Sequence, residues 1–104
     1  MQEQIFQITM KVPLGERRGQ LKWKERDGLL EGFIEIMGNK NPFTGKVLSE
    51  GTVKIEGTLV TAIRNIPFTA EGNIEGSMLL MALTEARRTY SVKGVEITNN
   101  EEIL

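Results

Sequence analysis

The stretch TAEGNIEGSMLLMAL, Thr69 to Leu83, decides how this chain is read. Two Glu-Gly pairs four residues apart lead into six consecutive apolar residues, Met78 to Leu83. Such a pattern is either a phosphate-binding loop that opens a helix or a β-hairpin with glycines inside its strands. The glutamates decide against the loop. Glu71 and Glu75 would lie beside the phosphates, where an anion site calls for backbone N–H groups and positive charge. GNKNPFTGKV, from Gly38 to Val47, is no better a phosphate loop. It spaces its glycines too widely and puts Val47 where a hydroxyl should bind Mg²⁺.

The apolar run itself has two readings. Ser77 is a suitable N-cap, and residues 77–88 are rich in good helix formers. A helix there would be apolar around its first turns and would have to be buried whole. As a strand, the run sends Met78, Leu80 and Ala82 one way and Leu79, Met81 and Leu83 the other. The glycine turn before it and TEARR after it favour the strand. We therefore expect a hairpin with a tight turn around Asn73-Ile74. Its second strand is apolar on both faces, and Leu79, Met81 and Leu83 are assigned to the outer one. A second copy of the chain would cover that face, so a homodimer is expected.

The remaining sequence repeats this rhythm. Phe6, Ile8, Met10 and Val12 alternate with polar residues until Pro13. Leu21 and Trp23 alternate with Lys22 and Lys24 up to Asp27-Gly28, a strong hairpin signal. GNKNP, residues 38–42, is read as a loop. Several strands carry an internal glycine in phase with their apolar face, among them Gly32 and Gly57. Such glycines serve bends or close backbone approach, as a small closing barrel requires. The expected fold is an all-β antiparallel meander of seven or eight strands, closed or nearly closed into a small barrel. It occupies residues 1–98, with a polar tail at 99–104. The alternative is α+β, with a helix at 77–88 packed on the sheet.

The layout of GLLEGFIEI, GTVKIEGTLVTAI, FTAEGNIEGSMLLMAL and TYSVKGVEI resembles the small up-and-down barrels of the calycin (lipocalin-like) kind. The likeness is one of arrangement, over roughly residues 20–98. The lipocalin Gly-x-Trp is not met, because GQLKW separates Gly19 from Trp23 too far. The resemblance implies a barrel that holds a hydrophobic ligand.

Composition narrows the chemistry. The 104 residues contain no cysteine and no histidine, and the net charge is −1. Disulfides, thiolate metal sites and histidine-based triads are excluded, so no cofactor and no metal centre are expected. The segment MQEQIFQITMKV lacks the charge and apolar core of a signal peptide, and no apolar run approaches a membrane span of about 18 residues. A cytoplasmic protein is expected. Glu31 and Glu35 share one strand face and are read as solvated rather than catalytic.

Three functions remain. The first is non-catalytic binding of a small apolar or amphipathic ligand in the barrel, lined by Phe6, Trp23, Phe68 and Tyr90, with Arg64 and Tyr90 as polar anchors. The second is a Glu/Tyr-dependent isomerase or cyclase working in the same interior. The third is single-stranded nucleic-acid binding through residues 11–26, which hold six basic residues, two acids and the only tryptophan. Parity weighs against the third, since Trp23 points with Leu21 while Lys22 and Lys24 point away.

Overall fold

The computed structural model describes residues 2–36, 38–86 and 88–97, so the tail expected at 99–104 lies outside the described residues. Eight strands follow in chain order: β1 (Gln2–Val12), β2 (Gly15–Arg26), β3 (Leu29–Ile36), β4 (Asn39–Ser49), β5 (Thr52–Val60), β6 (Asn65–Glu75), β7 (Met78–Glu85) and β8 (Arg88–Glu96). Each is antiparallel to the next, and β8 pairs back onto β1 to close the barrel. This is the up-and-down layout that the calycin resemblance implied.

The register shows how the sheet closes. Ladder partners run from Gln2 through Glu25, Leu30, Gly45, Ile55, Ala70 and Leu83 to Tyr90. Continuing the Met10–Val92 register then brings the circuit back to β1 at Val12, ten residues further along the strand than it began. A stagger of that size over eight strands tilts each strand strongly against the barrel axis. The interior then closes to a width that side chains fill.

Alternation supplies the filling. Phe6, Leu21, Trp23, Phe43, Ile55, Phe68, Leu79, Leu83 and Val92 are among the buried inner side chains. Trp23 stands between Phe6, with ring centroids 5.3 Å apart, and Phe43, at 6.5 Å and edge-on. Glycines let the strands come close enough for this packing. A Cβ at Gly32, Gly57 or Gly72 would run into the carbonyl oxygen of the neighbouring strand, at Lys22, Pro42 and Leu80 respectively. They are points of close strand approach.

The hairpin formed by Thr69–Leu83 is β6–β7, and its turn is Gly76-Ser77 rather than Asn73-Ile74. Asn73 and Ile74 stay in the ladder opposite Leu80 and Leu79, and Gly76 supplies the positive φ of 60° that the turn needs. The described residues of 77–88 form no helix. The run is paired on both sides, and Ile74, Gly72 and Ala70 stand opposite Leu79, Met81 and Leu83. A Cβ at Gly72 would collide with the Met81 side chain, so small residues on β6 make room for large ones on β7. Tertiary pairing overrides the helix propensity of the run.

That register also corrects the face assignment. Leu79, Met81 and Leu83 are buried inside the barrel and cannot form an outer interface. Their neighbours Met78, Leu80 and Ala82 are the outward, exposed set. The loop expected at 38–42 is corrected likewise, because Asn39 to Pro42 already pair with β3 as the first residues of β4.

Candidate functional site

The two ends of the barrel are built differently. One end carries the β2–β3, β4–β5 and β6–β7 turns. Each ladder there continues into the turn: Val47 N–H donates to Gly28 O (2.8 Å), Ile74 N–H to Gly51 O (2.6 Å) and Glu96 N–H to Ser77 O (2.8 Å). Ile97 N–H donates to Ile5 O at 2.8 Å and fastens the β1–β8 seam. Asp27 (φ 53°) and Gly28 (φ 79°) both adopt the left-handed backbone that the hairpin signal required. Beneath these turns Trp23 is 1% exposed, and its Nε1–H donates to Gln4 Oε1 at 2.9 Å. This end is laced shut.

The other end is splayed. Its β4–β5 ladder stops at Phe43–Gly57 and its β1–β8 ladder at Met10–Val92, leaving the ends of all four strands without a partner on that side. Pro42 accounts for the first gap. Val47 turns its N–H toward the β3 side, so alternation turns Pro42 toward β5, where it has no N–H to give. Two asparagine side chains bridge the opening. Asn41 Oδ1 accepts from Val60 N–H at 2.6 Å, and Asn39 Nδ2 donates to Val60 O at 3.2 Å. Asn41 Nδ2 also donates to Ile34 O at 2.9 Å, so this 1% exposed amide is satisfied. Sequence reading missed Asn41 because NKNP looks like loop chemistry; the Asn-Pro pair inside an alternating run was the available signal.

Two hairpin tips project at this splayed mouth, β1–β2 and β5–β6, and carry Leu14 and Ile63, each 93% exposed. Inside the mouth Val12, Leu59, Ile66 and Tyr90 are half-buried, over the buried Met10, Ile36 and Phe68. Tyr90 Oη donates to Glu85 Oε1 at 3.1 Å. Arg17 is paired with inward-facing Met10, and Arg88 with Glu85, so both arginines stand on the inner parity at the rim. The inner rim of the laced end carries Glu25 and Glu96 at corresponding parity. The mouth thus joins an apolar wall to a basic edge.

The residues expected to line a pocket separate accordingly. Phe6 and Trp23 lie deep in the filled core, while Phe68 and Tyr90 reach the mouth. Arg64 does not line the interior. It is exposed in the β5–β6 connection, where its N–H donates to Thr61 Oγ1 at 3.0 Å and its carbonyl accepts from Thr61 N–H at 3.1 Å. Among the described residues, Tyr90 and Glu85 are the tyrosine–glutamate contact that the isomerase or cyclase reading would draw on. The basic segment 11–26 does not form a stacking platform. Trp23 is in the core, Lys22 pairs with Glu3 at 3.5 Å on the outer wall, and Arg17 turns to the inner rim.

The barrel is similar to the solved structure of a redesigned beta barrel, mFAP1, bound to DFHBI. The TM-score is 0.65 at 15% sequence identity, over 90% of this chain and 92% of that one. At that identity the likeness is one of fold. No protein-family model matches the sequence, and no curated protein does.

Proposed function

We propose that this protein is a non-catalytic binding protein that takes a small amphipathic ligand at the splayed mouth. One observation carries the reading: half-buried Val12, Leu59, Ile66 and Tyr90 form an apolar wall at the one end where two seams are unzipped. Mouths of β-barrels are favoured places for such ligands. The body of the ligand would rest on Phe68 and Tyr90, and its polar head would meet Arg17, Arg88 and the Tyr90–Glu85 pair. The neighbouring fold, solved with DFHBI bound, supports a barrel of this build as a container for a small molecule. The same reading includes a pair of copies joined through the exposed apolar residues of β7.

Backbone amide NMR during titration with anilinonaphthalene sulfonate, an amphipathic anion, tests the site. Shifts should concentrate at Val12, Leu59, Ile66 and Tyr90. No shift up to about 1 mM, or shifts confined to the outer wall, would overturn the proposal.

A further inference from the structure

The outer wall of the barrel is polar on either side of one strand. On β6, Thr69, Glu71, Asn73 and Glu75 face out, and on β8, Thr89, Ser91 and Lys93 do. Between them β7 presents Met78, Leu80 and Ala82, and Val95 beside Met78 extends the patch. Met78, Leu80 and Val95 remain 44–49% exposed. An apolar patch with polar borders is the kind of surface that a partner covers.

The charges along its borders point to what covers it. Glu75 pairs with Met78 and so flanks the patch on the β6 side; Lys93 pairs with Leu80 and flanks it on the β8 side. Glu71, the other acid on that border, already faces Lys54 at 3.8 Å, whereas among the described residues Glu75 has no ion pair. The patch therefore carries one acidic and one basic border of its own. A surface of that kind is complementary to itself under one two-fold axis only. An axis running along β7 brings the acidic border of one copy over the basic border of the other. An axis across β7 lays acidic border over acidic border and basic over basic, with no opposite charges facing each other.

We infer that a second copy of this chain covers β7 face to face, related by a two-fold axis along the strand, with Leu80 at the centre and Glu75 of each copy against Lys93 of the other. This rests on the pairing proposed above and adds its geometry. The arrangement leaves the mouth free, because the patch lies on the wall and reaches toward the laced end.

Sedimentation equilibrium of the full chain and four variants tests it. The wild-type chain should be dimeric at about 100 µM, and L80K should be monomeric while keeping its β circular-dichroism spectrum. E75K and K93E should each weaken the dimer about tenfold, and E75K/K93E together should restore it, because the swap re-creates both cross-copy pairs. A wild-type monomer at that concentration overturns the pairing itself. A dimer that L80K leaves intact uses another surface. One that L80K breaks but the double swap fails to restore keeps the surface and overturns the axis.

Discussion

The two ends of this barrel are made from the same strands, yet one is fastened and the other held apart. At the laced end three seams run into turns through backbone hydrogen bonds, such as Ile74 N–H to Gly51 O, and an indole fills the space beneath. At the mouth two seams stop several residues short, and the β4–β5 opening is held by amide side chains on Val60. A backbone ladder fixes spacing and register together, whereas a side-chain bridge fixes only one contact and can be released without unzipping the strand. The difference teaches that one set of strands can be held in two ways: backbone pairing runs into turns at the Trp23 end and stops short at the Tyr90 end.

The largest effect should come from breaking the fastened end. Trp23→Ala removes the ring between Phe6 and Phe43 and leaves Gln4 without its donor. Urea denaturation should show a loss of about 3–5 kcal/mol, enough to unfold much of a small domain. A loss below about 1 kcal/mol would mean the end is not the core we describe.

Next comes the bridge at the mouth. Asn41→Leu is close in size but strands Val60 N–H, which the amide oxygen now serves, and removes the second hydrogen bond to Ile34 O. The expected cost is about 2 kcal/mol. Hydrogen exchange sharpens the comparison: Val60 should exchange much faster in the variant, while Val47, Ile74 and Glu96 keep their ranking as slow amides. Equal acceleration at both ends would dissolve the distinction between them.

Tyr90→Phe is smaller in stability and more telling in function. It removes one partly exposed hydrogen bond to Glu85, worth about 0.5–1 kcal/mol. Affinity for the anilinonaphthalene sulfonate probe should fall several-fold, and a Tyr90→Phe chain that binds unchanged would take the hydroxyl out of the site. Smallest of all, Leu14→Ser with Ile63→Ser should leave the unfolding free energy from urea denaturation within about 0.5 kcal/mol of the parent's, because both side chains stand in solvent. A larger loss would show that the hairpin tips pack on something in solution.

Much of the barrel was legible in the sequence because two signals are local. Alternation in FQITMKV and in LKWKERDGLLEGFIEI is a property of neighbouring residues, and Asp27-Gly28 names its own turn through the positive φ it needs. The strand glycines belong to the same class: their phase with the apolar face announced close approach, and the carbonyls facing Gly32, Gly57 and Gly72 are what they approach. The site was less legible. Phe68 and Tyr90 stand out for their rings, but so do Phe6 and Trp23, and parity alone does not tell depth along a tilted strand. Arg64 fits an anchor by type, and only the loop that Thr61 closes shows it exposed in a connection rather than on a strand.

The stretch Thr69–Leu83 marks the boundary between the two kinds of information. By itself it determined a hairpin without phosphate chemistry, since the charge of Glu71 and Glu75 travels with the sequence wherever the chain goes. It determined too that the second strand is apolar on both faces. Which face is the inner one was decided by tertiary structure alone. Met78-Leu80-Ala82 and Leu79-Met81-Leu83 are equally apolar, so no local signal ranks them. The choice falls to the register with β6, where Gly72 and Ala70 leave the room that Met81 and Leu83 fill. Likewise Pro42 and Asn41 are ordinary loop residues until barrel closure sets them against β5, because a gap in a seam exists only between strands that the whole fold has brought together.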